Sequence, residues 1–296
     1  MDTLDMTKDQ VQKEIDRIVE FIRWQCKPDF PVVIGLSGGV DSDLTARLCA
    51  KAISANKMRC FTVLQEDFDP KYVNNARNLA MDLKVDLIEI PIPSVPKQLM
   101  GVLADSDPAV GFSPNPAFLD VGRAKCAIRT FIFSAYSERG YLVVGPSNRT
   151  ELELGYFLPF GDALAHFRPI IHLYKTQVRQ LAREIGTRPE VISQQPAAGF
   201  WIGDEDLKGI AYWLFNEGPI QIDLKLEQSE KEKIQQIRDE LSFQKIDQSL
   251  LRLQHGWTNQ QISEELKLSI PTVEKLRRLT EKALEYKRRP LGVGID

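Results

Sequence analysis

The stretch Val32-Val33-Ile34-Gly35-Leu36-Ser37-Gly38-Gly39-Val40-Asp41-Ser42 decides how the rest of the chain is read. It opens as a short continuous apolar run, which suits a strand covered on both faces. Two adjacent glycines follow, and then Leu44, Leu48 and Ile53 recur at helix-like spacing, so the segment reads as strand, tight loop and helix. Upstream, Val11, Ile15, Ile18, Val19 and Ile22 predict an amphipathic helix near 8–25 that Pro28 and Pro31 close off. Downstream, Cys60-Phe61-Thr62-Val63-Leu64 predicts a second strand, Val73 to Leu83 a helix, and Val85 to Ile90 a third strand. A helix from about Arg123 to Arg139, a strand at Tyr141 to Gly145 and a helix near Leu173 to Ile185 continue the alternation. Alternating strands and helices imply right-handed crossovers, hence an α/β fold with a doubly wound parallel sheet and helices on both faces.

The stretch from Pro91 to Asp120, rich in Pro, Gly, Ser and Asp, is expected to be a long loop covering an active site. Beyond Gly186 the text turns to Pro- and Gly-punctuated loops, a very polar run at Gln228 to Glu240, and a final helical pair ending in Lys287-Arg288-Arg289. The expected division is an α/β domain over 1–220 and a C-terminal helical appendage over 221–296, packed on the same core.

Composition bounds the partners. The 296 residues are 43% hydrophobic and 27% charged, as in ordinary globular proteins, with a formal net charge of −3. No broad basic field draws such a chain to nucleic acid or to an anionic membrane. Cys26, Cys49, Cys60 and Cys126 lie far apart, without the C-x-x-C spacing of a zinc or redox site, and are expected to be buried thiols. No apolar run approaches the ~20 residues that cross a bilayer, and Met1 to Lys13 is polar and acidic rather than leader-like. A cytoplasmic location is therefore expected.

Paired glycines between a buried strand and a helix start let backbone N–H groups approach an anion, and the helix adds its positive dipole end. Ser37 and Ser42 can add hydroxyl donors. Asp41 shares the sign of a phosphate, so it is expected to act through Mg²⁺. Neither Gly-Lys-Ser/Thr at Walker A spacing nor G-x-G-x-x-G is present.

The loop Ser37-Gly38-Gly39-Val40-Asp41-Ser42 resembles the signature of the N-type ATP pyrophosphatases. That resemblance implies an adenine-nucleotide α-hydrolase-like or flavodoxin-like sheet. It also implies ATP cleavage between the α and β phosphates, with the loop gripping the departing pyrophosphate. Val144-Gly145-Pro146-Ser147-Asn148-Arg149-Thr150-Glu151 and His172-Leu173-Tyr174-Lys175-Thr176-Gln177-Val178-Arg179 are similar to motifs of the NAD synthetases, as are Asp204-Glu205-Asp206 before Gly209-Ile210 and the closing Lys287-Arg288-Arg289. This resemblance implies a homodimer that adenylates the carboxylate of nicotinate adenine dinucleotide and lets ammonia displace AMP. It implies that Asp41 and Glu151 hold Mg²⁺ and that Lys175 sits on the ATP phosphates. Taken singly, Glu151 reads as a solvated helix residue and Lys175 as a first-turn surface charge; the surrounding motifs reverse that. Arg123, Asn148, Asp162, His166, Lys287 and Arg288 are the candidates for binding the acceptor.

Departures fall on the acceptor side. The family's G-D-G-G-A-D stands here as Gly161-Asp162-Ala163-Leu164-Ala165-His166, and the loop before Asp204 is shortened and loses a hydroxyl and a carboxylate. Arg123, Ala127, Pro146 and Tyr286 replace an asparagine, an arginine, a threonine and a histidine of the family pattern. A site stripped of polar partners loses discrimination. Two acceptors follow: nicotinate adenine dinucleotide, or another carboxylic acid amidated by a paralogue. The chain has no room for a glutaminase domain, so nitrogen is expected as free ammonia or from a separate glutaminase.

Residues Thr258 to Leu276 also read like a helix-turn-helix, offering Thr272, Glu274 and Lys275 with Arg277 and Arg278 behind. Glu264 and Glu265 nearby make this a poor set for phosphate contacts, so a DNA-binding regulator is the lesser reading.

Overall fold

A computed structural model describes residues 4–65, 69–107, 121–158, 161, 164–197, 205–218 and 226–287, and for 121–123 and 285–287 the backbone alone. Helix α1, Lys8–Gln25, begins with a reciprocal cap in which Thr7 and Gln10 satisfy each other's backbone N–H. The strand, loop and helix deduced at the glycines are β1, Val32–Gly35, and α2, Val40–Ala52. They are followed by β2, Met58–Leu64, then α3, Pro70–Leu83, and β3, Leu87–Pro91. Next come α4, Val95–Ser106, α5, Val121–Ser137, and a short β4, Leu142–Val143.

All strand pairs are parallel and the order is β3-β2-β1-β4. Side chains alternate between the two faces. Val32, Ile34, Met58, Cys60 and Val144 join one apolar cluster with α1, α2 and α3, whereas Val33, Phe61, Val63 and Val143 join another with Ile128 and Phe133 of α5. Burial on both faces explains the unbroken apolar runs of the sequence, and the sheet is doubly wound as expected.

Chain order runs outward from β1 through β2 to β3 and then returns to the other side of β1 for β4. The loops after β1 and β4 therefore diverge at a topological switch point, where open α/β sheets form their ligand crevice.

Two expectations need correction. Pro91 to Asp120 is not one long loop, because α4 occupies Val95–Ser106. Pro96 sits in its first turn, where a missing N–H costs nothing, and Met100 and Leu103 supply helical spacing that the flanking Pro and Ser obscure. Residues 108–120 lie outside the described residues. The polar run at 228–240 is followed by three helices rather than a pair: a helix over Phe243–Gln254 precedes the two helices of the helix-turn-helix reading, whose turn falls at Lys267 in the left-handed region.

The remaining helices are α6, Arg149–Leu154, α7, Lys175–Ile185, α8, Pro189–Ser193, α9, Asp206–Asn216, α10, Gln228–Glu240, α11, Phe243–Gln254, α12, Asn259–Leu266, and α13, Ile270–Lys287. A separate apolar cluster joins α9 to α13 and takes in Leu4, Leu154 and Tyr174 from the α/β side. The helix-turn-helix reading lands on α12 and α13, whose polar groups have intramolecular work. Thr272 is buried and bonded to Ser269, and Lys275 donates to the carbonyls of Leu214 and Phe215 at the end of α9. Arg277 donates to Asn259 and Trp257, and Arg278 pairs with Glu217.

All four cysteines are buried free thiols, and burial pushes the Cys60 thiol up to about 12. Among the described residues no helix is long and apolar enough to cross a membrane.

α1 is tied to the start of α7 by the buried Glu14, which accepts from His172 Nε2 at 2.6 Å and from Arg17. Burial alone would raise the Glu14 carboxyl, but His172 and Arg17 overcome it and hold it down at about 2. Glu14→Gln should cost roughly 2 kcal/mol of unfolding free energy at pH 7, the scale for breaking a buried charge-assisted contact. A depressed carboxylate pKa stabilises above the unfolded value of 4.5, and that gain is lost as pH falls toward about 2. Urea titrations should therefore show wild type and variant well separated at pH 7 and converging toward pH 2.

Candidate active site

The loop after β1 is shaped by hydrogen bonds among its own serines. Ser42 Oγ lies 3.0 Å from Ser37 Oγ, donates to the Gly39 carbonyl at 3.0 Å, and accepts from the Ser37 N–H at 3.2 Å. Gly38 takes φ +78°, and a Cβ there would stand 2.1 Å from the Tyr72 carbonyl oxygen, so only glycine fits. From α3, Asn75 donates to the Gly38 carbonyl at 3.1 Å and clamps the loop from outside. Gly39 caps α2 without a side-chain hydrogen bond, and the first-turn N–H groups of a helix have no intrahelical acceptor. Free N–H groups at a helix start are what an anion cradle requires, as the sequence led one to expect of this loop.

Behind the loop, α2 is moored by a buried ionic network. Asp43 accepts from Arg47 at 2.7 Å and from Thr187 at 2.6 Å, and Arg47 reaches Asp82 at 2.9 Å. Arg188 binds Asp82 from the other side, and with Arg47 it holds the Asp82 carboxyl down at about 2. The cradle thus rests on α2, α3 and the residues before α8.

One turn into α2, Asp41 meets residues from α6 and α7. Lys175 Nζ donates to Asp41 Oδ2, and Asn148 Nδ2 donates to Asp41 Oδ1 at 3.0 Å. The same amide nitrogen donates to Glu151 Oε1 at 2.9 Å, so a single atom spans both carboxylates. Asn148 also caps α6: its Oδ1 accepts the Glu151 N–H at 3.0 Å, while Glu151 Oε2 accepts the Asn148 N–H. The sequence motif from Asn148 to Glu151 is therefore a capping box whose acidic member faces the crevice.

Lys175 is buried, its ammonium 5.5 Å from the Phe243 ring centre. Burial by itself would depress its pKa. Asp41, Glu151 and Asp206 together outweigh that and raise it, so the side chain stays charged. Arg179, one helical turn on, lies over the same ring and brings a second cation.

The donor set suits magnesium. Asp41 and Glu151 supply hard carboxylate oxygens, and among the described residues no cage of three or more His, Cys, Asp or Glu side chains exists. Mg²⁺ is commonly bound by one or two carboxylates, with water and phosphate oxygens completing its shell, so the pair fits that ion.

Ser37, Gly38, Gly39, Val40, Asp41, Ser42, Glu151 and Lys175 all converge on the crevice from the elements just described. Asn148, a candidate acceptor ligand by sequence, is fully buried, and both its amide donors are engaged by Asp41 and Glu151. His166 stands apart, beside β4, where its Nδ1 accepts the Val143 N–H at 2.9 Å and its Nε2 points toward Ser137. Asp162, Arg288 and the side chains of Arg123 and Lys287 lie outside the described residues. Thr150 and Thr176, which brace the site with Asp247, lie inside the quoted motifs without a role assigned from them, and Asp247 is marked only by interrupting the apolar stripe of Phe243, Ile246 and Leu250 on α11.

The sequence pattern of the NAD synthase family matches residues 14–238. An NH3-dependent NAD+ synthetase of Pyrococcus furiosus is 30% identical over 291 residues, covering 96% of this chain and 95% of its own. The one from Methanocaldococcus jannaschii is 33% identical over 203 residues, covering 67% and 75%. Among solved structures, NMN synthetase from Francisella tularensis superposes with a TM-score of 0.71 at 19% identity, covering 99% and 100%. NH3-dependent NAD synthetase from Campylobacter jejuni superposes with a TM-score of 0.67 at 22% identity, covering 98% and 100%. These two share the fold.

Gly38→Ala tests the cradle directly. A Cβ overlapping the Tyr72 carbonyl must displace the loop or α3, so affinity for Mg²⁺-pyrophosphate should fall at least about tenfold, with a loss of stability of about 1–3 kcal/mol. Calorimetric titration beside thermal unfolding reads both, and unchanged affinity would remove the loop as the anion site.

Proposed function

This chain belongs to the NAD synthase family, and from that premise we propose that it is an ATP-dependent, AMP-forming carbon–nitrogen ligase that amidates the carboxylate of nicotinate adenine dinucleotide with ammonia. The observation that carries the reading is the buried Lys175 ammonium bonded to Asp41, with Glu151 on the same asparagine, beside a glycine loop at a helix N-terminus.

In this mechanism the backbone N–H groups at the start of α2 and the hydroxyls of Ser37 and Ser42 hold the β and γ phosphates. Lys175 neutralises charge on the phosphate oxygens as the acceptor carboxylate attacks the α phosphorus. An O–P bond forms, the P–O bond to pyrophosphate breaks, and an acyl adenylate results. Ammonia then adds to the acyl carbon, the C–O bond to AMP breaks, and the nitrogen releases a proton. Asp41 and Glu151 would hold Mg²⁺, which when bound would neutralise charge on the departing pyrophosphate. Positioning and electrostatics of this kind account for most catalysis at phosphorus, and no covalent nucleophile is needed.

A second reading, amidation of another carboxylate, draws on the altered acceptor motifs. Ala163 and Leu164 stand where the family pattern has two glycines, and His166 spends its Nδ1 on the sheet rather than on a ligand. The fold is shared by proteins named for NAD and for NMN synthesis, so it does not choose between acceptors. A homodimer belongs to the same proposal; α4 bears an exposed apolar stripe of Val95, Leu99 and Val102, and Phe131 is exposed on the adjoining α5.

Pyrophosphate release from ATP, Mg²⁺ and ammonium should depend on nicotinate adenine dinucleotide, with nicotinate mononucleotide and small carboxylic acids as comparisons. Turnover with another acid but not with the dinucleotide would select the second reading, and no turnover with any would defeat both. Removal of Mg²⁺ by chelation should abolish release, and Glu151→Gln should raise the half-saturating Mg²⁺ concentration at least about tenfold.

A further inference from the structure

α11 belongs to the helical half of the molecule, yet it sends one carboxylate into the α/β half. Asp247 is wholly buried, and both of its oxygens are occupied. Oδ1 accepts the Thr150 hydroxyl at 2.5 Å, and Oδ2 accepts the Thr176 N–H at 2.8 Å. Thr150 Oγ1 accepts in turn from the Lys175 N–H at 2.9 Å. Thr150 is the second residue of α6 and directly precedes Glu151; Lys175 and Thr176 are the first two residues of α7.

One side chain therefore binds the opening turns of two helices at once. Those turns carry the carboxylate assigned to the metal and the ammonium assigned to the phosphates. An ordinary cap would satisfy one helix. A buried carboxylate is a costly way to do so, since burial pushes the Asp247 carboxyl up to about 6 despite its hydrogen bonds and the nearby Lys175 ammonium. Both helix N-termini present their positive dipole ends to it, which favours the ionised form.

We propose that Asp247 is a positioning residue for pyrophosphate release: by anchoring α6 through Thr150 and α7 through the Thr176 N–H, it sets the distance between Glu151 and Lys175 at which Mg²⁺ and the ATP phosphates are held together. The inference rests on the function proposed above. Protonation or removal of Asp247 frees the two turns to separate, with Glu151 and Lys175 themselves intact.

The test compares Asp247→Asn and Thr150→Val with Leu250→Ala. Asp247→Asn forces an amide donor toward either the Thr150 hydroxyl or the Thr176 N–H. Thr150→Val cuts the link to α6, and with it the acceptor of the Lys175 N–H, but keeps Asp247 bonded to the Thr176 N–H, so it serves if Asp247→Asn does not fold. Leu250→Ala removes a fully buried side chain one turn along α11 and reports what loss of stability alone does.

Calorimetric titration of Mg²⁺ with α,β-methylene-ATP reads binding without turnover, and steady-state pyrophosphate release gives kcat and KM separately. Asp247→Asn and Thr150→Val should weaken Mg²⁺ affinity about ten- to a hundredfold, the range for residues that orient metal ligands. They should also lower kcat more than they raise the KM for the acceptor, and the amides of Lys175 and Thr176 should exchange with deuterium faster. Leu250→Ala should lower Tm with Mg²⁺ affinity unchanged. Equal Mg²⁺ affinity in all three variants and wild type would overturn the proposal, as would an equal loss in Leu250→Ala. Wild-type protein that binds Mg²⁺ and the analogue but releases no pyrophosphate would instead overturn the reaction, leaving the positioning test readable by calorimetry and exchange.

Discussion

A lysine side chain with 3% of its surface exposed is held charged at the end of a parallel sheet, and the arrangement of this protein's crevice follows from that. An ammonium in such a place needs opposite charge nearby; Asp41 supplies it by a direct hydrogen bond, and Glu151 and Asp206 add to it electrostatically from two other helices. Three carboxylates around one ammonium leave a local excess of negative charge. Such a cluster is well matched to a divalent cation, which in turn makes the site attractive to a polyphosphate. In the function proposed above, the carboxylates would hold the metal, and the lysine and helix N-terminus would hold the phosphates.

The cluster sits where two apolar cores meet. The α/β core supplies α2 and its cradle, and the helical core of α9 to α13 supplies Phe243 under Lys175 and Asp247 under the first turns of α6 and α7. A further polar knot joins the same halves. Arg149 donates to Glu153 at 2.6 Å and lies over the Tyr174 ring, the Tyr174 hydroxyl reaches Glu153 at 3.1 Å, and Gln254 of α11 joins both charged partners. Such networks are worth most when every member is satisfied, and they fix one geometry where an apolar seam would allow sliding. The helical half is in this sense a wall of the ATP site.

The two sides of the crevice differ in how firmly they are built. Around the glycine loop, donors and acceptors interlock: Ser42 within the loop itself, and Asn75, Asn148 and Thr150 with partners from other segments. On the side that the resemblance gives to the acceptor, His166 is drawn into sheet pairing, its N–H and ring both engaged by Val143, and Val144 bridges to Phe167. A chain can keep its phosphate machinery under tight geometric constraint while the pocket for the other substrate varies, because pocket residues act by shape and a few polar contacts.

Much of this was legible in the chain itself. Apolar runs at 32–36, 60–64 and 141–145 marked buried strands because both faces of the sheet are covered, and Gly38-Gly39 marked the anion loop because no other residue tolerates that turn. Motif spacing singled out Asp41, Glu151 and Lys175, which the fold brings together around Asn148. Helix α4 was hidden because prolines and serines at its ends resemble a loop, whereas the turn at Lys267 was legible as the joint of the helix-turn-helix reading. Only the tertiary structure decided that Asn148 joins the two carboxylates, that His166 serves the sheet, and that Asp247 braces both helices. The Asp41–Asn148 and Thr150–Asp247 bonds link residues 107 and 97 positions apart, and hydrogen bonding at such separations is set by how helices dock, which local pattern does not encode.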